Sequence, residues 1–115
     1  MIICDDADID VAAKGTSWGG FVNSGQVCTS IERVYVFSNV ADRFTESLVE
    51  ESKKVKLGDP MDKNTDIGPM ASKAQLKNTV EKVALAKEEG ARILTGGRRP
   101  KEFARGYFFS PTILD

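Results

Sequence analysis

"RVYVFSNVADRFTESLVEESKKVKLG", residues 33–58, carries two periodicities in succession. Residues 33–37 are β-branched and aromatic, the composition that suits a pleated, half-buried strand. From Ser38 the spacing changes. Ala41, Phe44, Leu48, Ser52 and Val55 recur at helical intervals, while Glu46, Glu50, Lys53 and Lys54 fall on the opposite face. Ser38 or Asn39 can cap this helix, and Gly58 with Pro60 stops it. A strand running straight into an amphipathic helix is part of a βαβ pattern, provided that the alternation continues on either side.

It does continue. Upstream, "MIIC" at residues 1–4 is a short apolar run that reads as a buried strand. Asp8 is placed to cap a helix from about Ile9, with Ile9, Ala12, Ala13 and Thr16 on one side and an end near residues 19–22. Downstream, residues 59–70 form a Pro- and Asp-containing loop. Ser72 and Gln75 make a capping-box pattern for a helix with Leu76, Val80, Val83 and Ala84 inward, closing at Gly90. "ARILTGG" is a brief strand and turn, residues 98–106 are a basic loop, and residues 107–114 are a final extended segment with Pro111 marking an edge or bend. The order strand, helix, strand, helix, helix, strand, strand predicts an α/β fold with a largely parallel sheet flanked by helices. Both ends of the chain fall inside expected strands, where a complete domain usually has a few loose residues. The chain is therefore expected to be a piece of a longer protein.

Composition narrows the function classes. The 115 residues make at most one small domain. With 16 basic and 17 acidic residues, there is no electrostatic case for a nucleic-acid partner or an anionic membrane. No apolar run approaches the roughly 20 residues that span a bilayer, and the N-terminal residues lack a signal-peptide pattern. The two cysteines, Cys4 and Cys28, are too few for a secreted disulfide scaffold, so a reducing, cytoplasmic setting is expected. Histidine is absent, which excludes a Cys–His or Ser–His dyad within the chain and any site built on histidine ligands.

The two cysteines differ in context. Cys4 ends an apolar strand and is assigned to packing. Cys28 lies in "FVNSGQVCTSIER", residues 21–33, where no helical or alternating apolar pattern would bury it. Gly25 permits a left-handed or crowded turn just before the thiol. Such a turn can present the sulfur and its own N–H to one small space, the geometry of an oxyanion hole.

This segment resembles the active-site cysteine motif of the aldehyde dehydrogenase superfamily. That motif has an aromatic or aliphatic residue seven before the cysteine, Gly-Gln at three and two before it, and often Arg five after; Phe21, Gly25, Gln26, Cys28 and Arg33 match. "LGDPMDKNTDIGPM", "GARILTGG" and "GYFFSPTIL" are similar to later family segments in the same order, so the resemblance covers essentially the whole chain. It implies a partial, nucleophile-bearing catalytic domain over residues 1–115. Members oxidise aldehydes to acids or acyl-thioesters with NAD or NADP. The reaction runs through a cysteine thiohemiacetal and a thioester, and the complete enzyme is expected to be a homo-oligomer. By matching positions, Cys28 is the nucleophile and its backbone N–H an oxyanion donor. Gly25 and Gln26 shape the loop, Asn23 can form an Asx-type turn, and Arg33 is a structural anchor. Trp18 and Phe21 are assigned to core packing, with the lining of an aldehyde tunnel as the alternative.

The resemblance also marks what these residues lack. No G-x-G-x-x-G follows a strand, so the dinucleotide-binding domain is absent and the cofactor would be held mainly by other parts of the enzyme. The glutamate that activates the hydrolytic water belongs to a Glu-Leu-Gly-Gly segment upstream of "MIICDD". The side-chain amide of the oxyanion hole and the cofactor-ribose glutamate also lie outside, and neither Glu32 nor Asp59 matches them. The isolated chain is expected to be inactive. The alternative is a stand-alone, non-catalytic α/β module derived from the family.

Overall fold

In a computed structural model describing residues 1–115, the elements follow in the predicted order. They are β1 (Ile2–Ile3), α1 (Ile9–Phe21), β2 (Tyr35–Val36), α2 (Ser38–Lys54), α3 (Lys73–Glu88), β3 (Ile93–Thr95) and β4 (Ile113–Leu114), with a 3₁₀ turn at Val22–Gly25. Two compact units divide the chain, Met1–Lys54 and Val55–Asp115.

In the first unit β1 and β2 pair in parallel, Ile2 opposite Tyr35 and Ile3 opposite Val36. The ladder is fixed by the Tyr35 N–H donating to the Met1 carbonyl and the Phe37 N–H donating to the Ile3 carbonyl, each at 3.0 Å. Helix α1 starts where predicted: the Asp8 carboxylate accepts from the Asp10 and Val11 N–H groups, both at 3.1 Å. That satisfies two of the donors a helix N-terminus leaves unpaired. Helices α1 and α2 pack against each other. Ile9 and Ala13 from α1 and Phe44 and Leu48 from α2 are buried, as are Thr16, Ser17 and Ser52. Two of these buried hydroxyls are satisfied locally: Thr16 donates to the Ala12 carbonyl at 2.8 Å and Ser52 to the Leu48 carbonyl at 2.7 Å. Each takes the carbonyl four residues back, so neither leaves an unmet polar group in the core.

Three expectations for this unit are corrected. "MIIC" is not buried on both faces: Ile3 is buried, but Ile2 and Cys4, on the other side by strand alternation, are exposed. Cys4 therefore does not serve packing. Trp18 does not join the core. It lies opposite Ile9 around α1, on the face that carries Val11, and both are exposed. Helix α2 ends at Lys54, before Gly58. The Lys56 N–H donates to the Asp66 carboxylate at 2.7 Å, and the Lys56 carbonyl accepts from the Asp66 and Ile67 N–H groups. These bonds draw the chain into a parallel bridge between Leu57 and Ile67 instead of another helical turn.

In the second unit the Ser72 hydroxyl caps α3 by accepting from the Gln75 N–H at 3.2 Å. The helix closes with Ala91 N–H on the Ala86 carbonyl and Gly90 N–H on the Lys87 carbonyl, the bond pair of a Schellman motif. Of the four residues expected to face inward, only Leu76 is buried. Val83 is half-buried, and Val80 and Ala84 are exposed, because a unit this small has too little surface to cover a whole helix face. The β3–β4 pair is antiparallel, with Ile93 opposite Leu114 and Thr95 opposite Ile113, and it is broken by an irregularity. The core here is Ile67, Leu76, Phe108 and Phe109. Phe103 stacks on Phe108 with ring centroids 4.1 Å apart. Only Ile113–Leu114 of the expected final strand pairs as a strand.

Candidate active site

The connection between α1 and β2 holds Cys28. Helix α1 ends with the Val22 N–H on the Trp18 carbonyl, and the chain then enters three consecutive residues of positive φ: Asn23 at 52°, Ser24 at 58° and Gly25 at 72°. L-residues enter this region singly as a rule, at a cost of roughly 1–2 kcal/mol each, less for Asn and least for Gly. A run of three, two of them not glycine, persists only if surrounding bonds impose it.

Those bonds join Asn23 to Gln26. The Asn23 carbonyl accepts from both the backbone N–H of Gln26, at 3.2 Å, and its side-chain amide, at 3.0 Å. In return the Asn23 side-chain amide donates to the Gln26 carbonyl at 3.3 Å. The expected Asx-type turn is thus replaced by a mutual clasp in which Asn23 acts as a side-chain donor. Immediately beyond it, the Ser30 N–H donates to the Val27 carbonyl at 3.0 Å, closing a turn over residues 27–30 with Cys28 at its second position.

A second fastening returns the chain to α1. The Ile31 N–H donates to the Gly19 carbonyl at 3.1 Å. The Ser30 hydroxyl lies 3.4 and 3.3 Å from the Gly19 and Gly20 carbonyls. The approach is close: a Cβ on Gly19 would sit 2.5 Å from the Ile31 Cδ1 atom. The segment that presents Cys28 is therefore closed at both ends, by the clasp and by this return. Cys28 itself is exposed, and no hydrogen bond within the chain engages its N–H.

Of the other residues singled out from the sequence, Gly25 takes the left-handed turn assigned to it, and Gln26 shapes the loop through its side chain as well as its backbone. Arg33 contributes its carbonyl, which accepts from the N-terminal ammonium at 2.8 Å, while its side chain is exposed. Phe21 is half-buried. The Ser30 return escaped the sequence reading, since a serine after a turn carries no signal for a partner ten residues back. The left-handed Asn23 and Ser24 had a readable trace, because Asn-Ser-Gly is turn-forming composition.

The start of α1 does not fit a dinucleotide phosphate. No glycine loop leads from a strand into a helix N-terminus. At the start of α1 the Asp8 carboxylate already occupies the donors, and Asp10 adds negative charge where a phosphate would sit.

A left-handed, doubly fastened loop presenting an exposed thiol between a helix and a parallel strand defines a cysteine-bearing α/β element. Comparison with known proteins places it: the family model "Aldehyde dehydrogenase family" matches residues 1–115, and the chain belongs to that family. It is 43% identical over 116 residues to betaine aldehyde dehydrogenase of Brucella anthropi. It is 39% identical over 114 residues to the peroxisomal aminoaldehyde dehydrogenase 2 of Malus domestica. These alignments take in 99% of the chain but only 24% and 23% of the two relatives. Among solved structures it is similar to 3,6-anhydro-L-galactose dehydrogenase in complex with NAP, with a TM-score of 0.95 and 40% identity, over 99% of this chain and 24% of that one. It is equally similar to betaine aldehyde dehydrogenase of Staphylococcus aureus in complex with NAD+, with a TM-score of 0.95 and 37% identity, over 98% of this chain and 23% of that one. The α/β class read from the sequence agrees with these neighbours. Relatives are named as peroxisomal or chloroplastic, so the family is not confined to the cytoplasm. No helix is long and apolar enough to cross a membrane.

Proposed function

We infer that the chain is the nucleophile-bearing segment of an NAD(P)-dependent aldehyde dehydrogenase, with Cys28 as the nucleophile. The observation that carries this is the exposed thiol at the second position of a closed turn, inside a chain that belongs to the family along its whole length. Sulfur suits the first step. A thiolate is intrinsically very nucleophilic, and a few per cent of a cysteine of ordinary pKa is ionised at neutral pH. The Cys28 sulfur adds to the aldehyde carbon, and the carbonyl oxygen becomes an oxyanion that the Cys28 N–H can receive. Protonation gives a thiohemiacetal. NAD or NADP, held outside these residues, supplies the hydride acceptor for oxidation to the thioester, which water or a thiol then opens.

The substrate class follows the relatives: a small aldehyde, with betaine aldehyde and aminoaldehydes the first to try. Homo-oligomerisation and a reducing compartment, the cytoplasm, belong to the same reading. The stand-alone module is the weaker reading, because a non-catalytic unit has no use for strain around an exposed thiol. Two measurements test the proposal. The flanking coding sequence should continue the family, with a Glu-Leu-Gly-Gly segment directly upstream of Met1. In the complete polypeptide, Cys28→Ala should abolish NADH production from betaine aldehyde while leaving NAD binding in place. A stop codon upstream, or a Cys28→Ala enzyme of undiminished rate, refutes it.

A further inference from the structure

We propose that Asn23 and Gln26 are positioning residues for Cys28: their clasp holds the left-handed turn that keeps the Cys28 sulfur and N–H on the same reacting carbonyl. This rests on the reading of Cys28 as the nucleophile. Three observations converge on it. The strain lies immediately before the thiol, at Asn23, Ser24 and Gly25. It is opposed by three hydrogen bonds between just two residues. The far end of the segment is fastened separately, to Gly19 and Gly20, so the clasp closes only the near end and sets the twist of the chain there. A loop that merely needed closing would not require left-handed residues. One that must aim two groups of a single residue at one point does, because a single peptide rotated by some tens of degrees carries the N–H away from the sulfur's target.

The inference separates two reactions of the same thiolate. Alkylation by iodoacetamide forms the S–C bond as iodide leaves, and no oxyanion develops. Acylation by p-nitrophenyl acetate forms the S–acyl bond through a tetrahedral oxyanion and expels p-nitrophenolate. Aim matters to the second and little to the first. The ratio of the two rates also cancels changes in thiol ionisation and exposure, which enter both.

The experiment uses the full chain with Cys4→Ser, so that Cys28 is the only thiol. Gln26→Met keeps the length of the side chain and loses its donor. Asn23→Gly keeps the left-handed backbone and loses the other. Each should lower the acylation-to-alkylation ratio by about fivefold or more, as misplacement of a catalytic group does. Alkylation should stay within about twofold, since the thiolate itself is unchanged. Asn23→Asp, which retains the left-handed tolerance without the amide donor, should behave like Asn23→Gly. It replaces that variant if circular dichroism shows Asn23→Gly unfolded. A ratio unchanged in both the Gln26 variant and an Asn23 variant, or the two rates moving together, overturns the positioning role. The control distinguishes the underlying reading: if Cys28→Ser acylates as fast as the parent, the nucleophile assignment itself is wrong.

Discussion

Ile2 and Tyr35 stand directly opposite each other in the parallel pair β1–β2, and both are largely exposed, at 68% and 66%. Their neighbours on the other face, Ile3 and Val36, are buried and half-buried. A parallel sheet is normally covered on both faces. In this chain one face of a two-stranded sheet is bare, with Phe37 extending it. Replacing Ile2 and Tyr35 by Thr keeps strand propensity and removes apolar surface. Equilibrium unfolding in urea should change by less than about 1 kcal/mol per site, as for exposed positions generally. Sedimentation should show less self-association at high concentration. A loss of several kcal/mol would mean that this face is packed after all.

The two amphipathic helices should respond very differently to truncation. Phe44 is 2% exposed and Leu48 7%, whereas Val80 is 40% exposed. Phe44→Ala and Leu48→Ala each remove a side chain that cannot be replaced by water or by collapse of α1 onto α2. The expected cost is about 2–5 kcal/mol, enough to unfold the first unit in a marginal chain. Val80→Ala should cost well under about 1 kcal/mol. Thermal unfolding followed by circular dichroism distinguishes these outcomes, and equal shifts for Leu48 and Val80 would contradict the burial pattern.

What could be read from the residues follows from which forces are local. Asp8, Ser72 and Gly90 act within one helical turn, and all three did in the structure what their positions predict. The helical spacing of Phe44 and Leu48 reports one face of one helix, and that face is buried. Val80, Ala84, Cys4 and Trp18 were misjudged for a common reason: an apolar side chain states that it can be covered, not that a covering surface exists in the same chain. The end of α2 was missed because Asp66, a partner ten residues beyond Lys56, decides it. At the site, the left-handed turn at Gly25 was legible from turn composition, while the direction of the Asn23 side chain and the reach of Ser30 depend on geometry that no spacing encodes.

Both thiols are exposed, so accessibility alone gives no reason for them to differ. Their turns differ: Cys28 stands at the second position of the turn at residues 27–30 with its N–H engaged by no bond in the chain, whereas Cys4 opens a turn that the Ala7 N–H closes on its carbonyl at 3.2 Å. In limiting p-nitrophenyl acetate at neutral pH, where an oxyanion develops, Cys28 should be acylated several times faster than Cys4, read as peptide masses over time. Equal rates, or a faster Cys4, would count against a chemical role for Cys28 and favour the non-catalytic module.

The exposed charges on α2 set a small and predictable pH dependence. The Lys53 ammonium, 2.7 Å from Glu50, holds the Glu50 carboxyl below the usual carboxylate range. Glu51, 2.6 Å from the Lys54 ammonium, raises Lys54 above the usual lysine range. A depressed carboxyl stabilises the fold above its unfolded pKa, and that contribution fades as pH falls through the lower folded value. A raised ammonium stabilises below its unfolded pKa, and fades as pH rises through the higher folded value. Glu50→Gln should therefore be slightly less stable than the parent at neutral pH and indistinguishable from it in strong acid. About 1 M salt should remove the difference, because both groups are in water. Urea titrations across pH and salt check this; a difference that survives in acid would point to something other than charge.

The last expectation concerns what the 115 residues can do alone. The chain spans 23–24% of the relatives it matches, and the N-terminus of α1, capped by Asp8 and followed by Asp10, offers no place for a dinucleotide phosphate. On the proposed reading Cys28 supplies a nucleophile and one backbone donor; neither can accept a hydride or activate water. Titration calorimetry with NAD should accordingly give no measurable heat of binding. Incubation with NAD and propanal should produce no NADH, even though Cys28 is alkylated readily in the same sample. Turnover by the isolated chain would require a hydride acceptor bound by these residues, and would overturn the view that the cofactor is held by parts of the family fold outside them.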